Sequence, residues 1–86
     1  MHTVELLEAA IALAEQVGYR VRQEWLDGSG GGDCEIRGQK LVFLDLAVGP
    51  LDQLELLLDV LRREPAAVSL PMPHPLRELL AVRKSA

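Results

Sequence analysis

The stretch Asp27-Gly28-Ser29-Gly30-Gly31-Gly32-Asp33 separates two apolar segments and runs directly into the chain's one cysteine, Cys34. Its reading decides the fold. Glycine reaches backbone angles that other residues avoid, and ordering it costs entropy. The run therefore marks either a mobile connection or a close backbone approach. Read as a connection, it joins two strands that lie side by side. On its upstream side, Tyr19 to Leu26 alternates: Tyr19, Val21, Gln23 and Trp25 point one way, Arg20, Arg22 and Glu24 the other. That is the pattern of a half-exposed strand. On its downstream side, Cys34-Glu35-Ile36-Arg37 reads as a short strand with Cys34 and Ile36 inward. Gly38-Gln39 then supplies a two-residue turn with glycine first, and Lys40 to Leu46 is the return strand. Its run Leu41-Val42-Phe43-Leu44 is apolar on both faces, which predicts the most buried strand.

Further out lie helices. Thr3 to Val17 is amphipathic, with Thr3 as cap, Glu5 and Glu8 near the positive end, and Gly18 at the left-handed position that closes a helix. Leu7, Ile11 and Ala14 form one apolar stripe, with Leu6, Ala10, Leu13 and Val17 beside it. Pro50 suits the first position of a second helix that runs to about Arg63 and stops before Pro65. Its apolar faces carry Leu51, Leu54, Leu57, Leu58 and Leu61, with Leu56 and Val60 on another side. Residues 65–75 hold prolines at 65, 71, 73 and 75 and are expected to be extended, with Ala67 to Leu70 pairing at a sheet edge. A short last helix is expected over 76–84. The sum is one α+β domain over residues 1–86, a three-stranded antiparallel meander in the order α-β-β-β-α-α with helices on one face.

Composition narrows the function. The chain has 86 residues, which fits one domain. Hydrophobic residues make up 49%, which excludes disorder. The net charge of −4, with no basic stripe, argues against a nucleic-acid partner. No apolar run approaches the ~20 residues that span a bilayer, so no membrane partner is expected. Met1 to Gln16 carries Glu5, Glu8 and Glu15 and no basic segment, so no secretory signal is read and a cytoplasmic location is expected.

No catalytic residue stands out. The glycine run precedes a strand and is flanked by Asp27 and Asp33, whereas a phosphate loop precedes a helix. A reactive Cys34 would need a nearby cation or a helix N-terminus, and its sequence neighbours are Asp33 and Glu35. A small buried side chain is the expected role. His2 and His74 form no ligand pair, so no metal and no cofactor are expected. Asp52, Glu55 and Asp59 share one helical face, as a solvated surface would. Gly30, Gly31, Gly32, Asp33 and Cys34 remain the candidate ligand or partner loop.

Gly18-Tyr19-Arg20-Val21, Gly31-Gly32-Asp33-Cys34, Lys40 to Asp45 and Gly49-Pro50 to Arg63 follow one another in an order that resembles the front half of the ImmA/IrrE family. Members are small zinc metallopeptidase-like domains, and the likeness spans about two thirds of the chain. The family's helix carries His-Glu-x-x-His, which holds zinc and supplies the general base. The matching turn here is Asp59-Val60-Leu61-Arg62-Arg63. The resemblance therefore implies a metal-free scaffold and not a peptidase.

The function expected from the sequence is a non-catalytic protein-interaction or homodimerisation module. The broad leucine faces exceed what a three-stranded sheet covers, and such surplus marks interfaces. Leu54, Leu56, Leu57 and Val60 are the expected interface. The alternatives are a small-molecule binder or enzyme using the Gly28–Cys34 loop, and an accessory subunit of a larger complex.

Overall fold

The computed structural model describes residues 1–82. Its elements are α1 (Thr3–Gln16), β1 (Tyr19–Glu24), β2 (Gly31–Ile36), β3 (Gln39–Asp45), α2 (Pro50–Arg62), α3 (Pro65–Val68) and α4 (His74–Ala81). No helix among the described residues is long and apolar enough to cross a membrane.

The class is α+β, as the residue pattern predicts, but the sheet is mixed and not a meander. The strand order is β1-β3-β2. β1 runs parallel to β3, with Val21 opposite Val42, and β2 runs antiparallel to β3, with Cys34 opposite Leu41. The glycine run is the reason. It does not turn β2 back alongside β1. It carries the chain across the end of β3, and β3 then fills the space between the two strands. The hairpin between β2 and β3 is also one residue earlier than Gly38-Gln39. Its central residues are Arg37 (φ 51°) and Gly38 (φ 80°), the paired left-handed angles of a tight hairpin turn.

Opposite residues on paired strands share a face. Val42 and Leu44 therefore share one face with Tyr19, Val21, Gln23, Asp33 and Glu35. Leu41 and Phe43 share the other with Arg20, Arg22, Glu24, Cys34 and Ile36. The first face is closed by helices. α1 packs on β1 and α2, α2 also touches β2 and β3, and α4 closes on α1 and α2. Val42 and Leu44 are fully buried there, with Leu7, Ala10, Leu13 and Ala14 of α1, Leu54, Leu57, Leu58, Val60 and Leu61 of α2, Ala67, and Leu76 of α4. The second face has no helix over it among the described residues.

Helix ends follow their local chemistry. Glu5 accepts the backbone N–H of His2 at 3.2 Å, so α1 starts at Thr3 with His2, not Thr3, in the cap position. Gly18 (φ 100°) closes it in the left-handed region. Pro50 opens α2. The proline-rich segment departs from expectation: Pro65 fits a first helical turn, and Pro65–Val68 forms one, with no sheet pairing at Ala67 to Leu70. The expected helix end at Arg83 and Lys84 lies outside the described residues.

Candidate functional site

The glycine run is an arch built on Asp45. Asp45 ends β3 and is fully buried. Its Oδ1 accepts the backbone N–H groups of Leu26 at 3.0 Å and Ala47 at 2.8 Å, and its Oδ2 accepts that of Gly30 at 3.0 Å. Burial alone would raise its pKa, but the N–H groups of Gly30, Ala47, Leu26 and Gly28 together hold the carboxylate below its ordinary range. The arch reaches this geometry with Asp27 (φ 56°), Gly28, Gly30 and Gly31 (φ 95°) in the left-handed region. Gly31 is required for a second reason: a Cβ there would overlap the Phe43 carbonyl oxygen. The glycines thus serve a close backbone approach, one of the two readings of the run. The Leu26 and Gly30 amides face the chain's own carboxylate.

Gly30 belongs to this arch, while Gly31, Gly32, Asp33 and Cys34 are the first residues of β2 and not loop. Asp33 lies on the closed face, where its Oδ1 accepts a bond from Arg63 at 3.0 Å. Cys34 is exposed, and Ile36 is 54% exposed. Both were expected inward. Pairing explains the difference: Cys34 opposes Leu41 and Ile36 opposes Gln39, which puts both on the open face. Trp25 is also outside the expected core, with its indole N–H donating to Asp27. The leucines expected at an interface are committed elsewhere. Leu54, Leu57 and Val60 are buried under α1 and the sheet, and of that set only Leu56 keeps partial exposure.

At the hairpin end of the closed face sits a polar cluster. The Tyr19 hydroxyl donates to Glu64 Oε1 at 2.9 Å, and Lys40 Nζ donates to the same oxygen at 2.8 Å. Lys40 Nζ also lies 5.5 Å from the Tyr19 ring centroid. Burial and the Glu64 carboxylate push the Tyr19 hydroxyl up to about 12. The bonds from Lys40 and Tyr19 hold Glu64 below its ordinary range. This arrangement stabilises the phenol against ionisation, which is opposite to what a tyrosine base requires.

Between α1, α2 and α4 runs an apolar groove of about 320 Å³, lined by Leu6, Leu51, Leu54, Leu58, Leu79 and Val82. Arg62 at its edge is held by Asp59 at 3.0 Å and by the Leu79 and Leu80 carbonyls. No cluster of His, Cys, Asp and Glu among the described residues is arranged to hold a metal.

Asp45 is the residue that sequence reading passes over. Its signal is an acid closing the apolar run Leu41-Val42-Phe43-Leu44, since an aspartate is rarely fully buried without partners. The chain is thus an α+β domain whose mixed sheet is covered by helices on one face and open on the other. No protein-family model matches it, and no curated protein or solved structure matches it.

Proposed function

We propose that the protein is a non-catalytic association module that docks through the open face of its sheet, forming a homodimer when purified alone. One observation carries this reading. A sheet with one solvated face is polar on that face. Here the central strand is apolar on both, and Leu41 and Phe43 sit where no helix covers them, beside Cys34 and Ile36. The sheet edges are poorer docking elements. β1 carries Arg20 and Arg22, β2 carries Asp33 and Glu35, and charges along an edge oppose strand pairing. An exposed thiol on the docking face suits a reducing compartment, which favours the cytoplasm.

Light scattering on the purified chain tests this. At roughly tens of micromolar the expected mass is that of a dimer. Ile36→Lys, on an exposed site, is expected to give a folded monomer whose thermal midpoint falls only by what dimerisation adds to the wild type. A wild-type monomer at that concentration overturns the proposal.

A further inference from the structure

We infer that α4 is a releasable cover over the leucines of α1 and α2, latched by Arg62, and that it opens as one unit while the rest of the domain stays folded. This device lies on the closed side of the sheet and does not depend on what the open face docks.

α4 is the least anchored of the three main helices. α1 buries four residues and α2 six. α4 buries Leu76 alone, with Leu79 and Leu80 half-covered and the rest of its eight residues exposed. A helix this short does not persist alone in water, because the cost of nucleation is spread over too few turns. No side chain caps its first turn. α4 is therefore helical because it is docked, and undocking unfolds it.

Its packing is open on both flanks. The groove of about 320 Å³ runs along one side, where Leu79 and Val82 border it with Leu6, Leu54 and Leu58. A second groove of about 280 Å³ runs along the other, where Leu80 and Ala81 border it with Leu61 and Val68. Close-packed interiors leave few voids larger than a water molecule. A helix with a groove on each side lacks those contacts. Its hold on the domain rests on Leu76, on the inner edges of Leu79 and Leu80, and on polar ties at its ends.

Arg62 of α2 supplies the tie at the far end. Its Nη2 donates to the Leu79 carbonyl at 2.7 Å and its Nε to the Leu80 carbonyl at 3.3 Å. These carbonyls belong to the last turn, where a helix runs out of its own N–H donors. Nη1 donates to Asp59, one turn earlier on α2, which aims the guanidinium. At the start of α4, Arg77 donates to the Val68 and Leu70 carbonyls at 2.9 Å each. Those atoms lie in the chain just before α4, so Arg77 braces the connection without fastening α4 to α1 or α2. Arg62 thus acts as the latch. Release vacates the Leu76 site and bares Leu58 and Leu61, which are 5% and 1% exposed with α4 in place. The domain therefore holds a second apolar surface that appears only on opening.

Native-state hydrogen exchange on the full chain tests this. In the wild type, the amides of Glu78, Leu79, Leu80 and Ala81 are expected to exchange at least about tenfold faster than the slowest amides of α1, with one shared dependence on low urea, as a cooperative unit does. Val42→Ala, in the sheet beneath α1 and α2, weakens contacts that the open form keeps. It is expected to speed the slowest α1 amides by about tenfold or more and to leave the α4 amides within about twofold of the wild type. Arg62→Gln is expected to speed the α4 amides by about tenfold, since bonds from a charged donor are lost. Arg63→Gln, one residue along and bonded to Asp33, is expected to leave them within about twofold. The cover is disproved if wild-type α4 amides exchange as slowly as those of α1, if Val42→Ala speeds both alike, or if rates only grade inward from Ala81 without urea dependence, as end fraying would give. The latch is disproved if Arg62→Gln leaves α4 exchange unchanged or if Arg63→Gln speeds it equally.

Discussion

The two faces of β3 carry the same kind of residue and differ in what lies above them. Val42 and Leu44 look toward α1 and α2 and have no exposed surface. Leu41 and Phe43 look the other way and stay half-buried. Chemistry alone does not distinguish these four side chains. The difference is made by α1 and α2, which lie on the same side of the sheet and whose leucines are used there. Apolar residues on the closed face hold the protomer together, and those on the open face are left for a partner.

Truncation on each face is the sharpest way to break this comparison, and it carries the largest expected effect. Leu44→Ala removes buried surface and leaves a cavity that packed neighbours fill only in part, so a loss of roughly 3–5 kcal/mol is expected. Leu41→Ala removes a side chain that already meets solvent, and about 1 kcal/mol is expected. Urea unfolding of both variants measures the difference. Equal losses would mean that something covers the open face within the protomer, and the docking proposal would lose its basis.

The arch, which crosses the end of β3, allows a finer comparison between adjacent glycines. Gly31→Ala meets the Phe43 carbonyl and adopts φ 95° with a side chain, so a loss of roughly 2 kcal/mol or more is expected. Gly32 has neither constraint, with open space around a Cβ, and Gly32→Ala is expected within about 0.5 kcal/mol of the wild type. Urea midpoints decide it, and matching losses would mean that the arch does not hold Gly31 against β3. The Asp45 carboxylate adds a pH signature. Its folded pKa is lowered, so its stabilisation is present above the ordinary carboxylate range near 4 and is lost as pH falls through the lowered value. Asp45→Asn is expected to lower the thermal midpoint at neutral pH and to flatten the decline on the acid side. An acid limb as steep as in the wild type would contradict the clamp.

These particular residues show how far the sequence could be read. α1 and α2 were legible almost to the residue, because a helix is set by local periodicity and by end residues such as Gly18 and Pro50. The existence of three strands was legible for the same reason. Their order was not. Alternation in Tyr19 to Glu24 states that a strand exists but not which neighbour it takes, and a glycine run reads equally as a turn or as a crossing. The crossing is fixed by Asp45, which is distant from the arch in sequence, and by a backbone contact at Gly31 that no side chain announces. The faces of Cys34 and Ile36 followed the same uncertainty, since pairing with Leu41 and Gln39 turns them outward. For the leucines of α2, composition showed a surplus of apolar surface but not where it would be used. Leu54, Leu57 and Val60 went to the closed face, and the surplus left over lies on the sheet.

The smallest expected effect on stability comes from the closed face's polar margin, and it is read by spectroscopy. Tyr19 is the only tyrosine in the chain, so its ionisation can be followed in the near ultraviolet without overlap from another phenol. Burial and the bond to Glu64 favour the neutral hydroxyl and push it up to about 12. Because the folded pKa lies above the ordinary value near 10, the associated stabilisation is intact below about pH 10 and is lost as pH rises toward 12. Tyrosinate is therefore expected to appear about two units later in the folded protein than in the chain unfolded by urea. Glu64→Gln removes the carboxylate that both Tyr19 and Lys40 contact, so it is expected to bring the midpoint down while leaving the neutral-pH fold in place. A titration near 10 in the folded wild type, or one that Glu64→Gln does not move, would show that the Tyr19–Glu64 contact does not hold in solution. The margin of the closed face would then be as solvated as the open face opposite it.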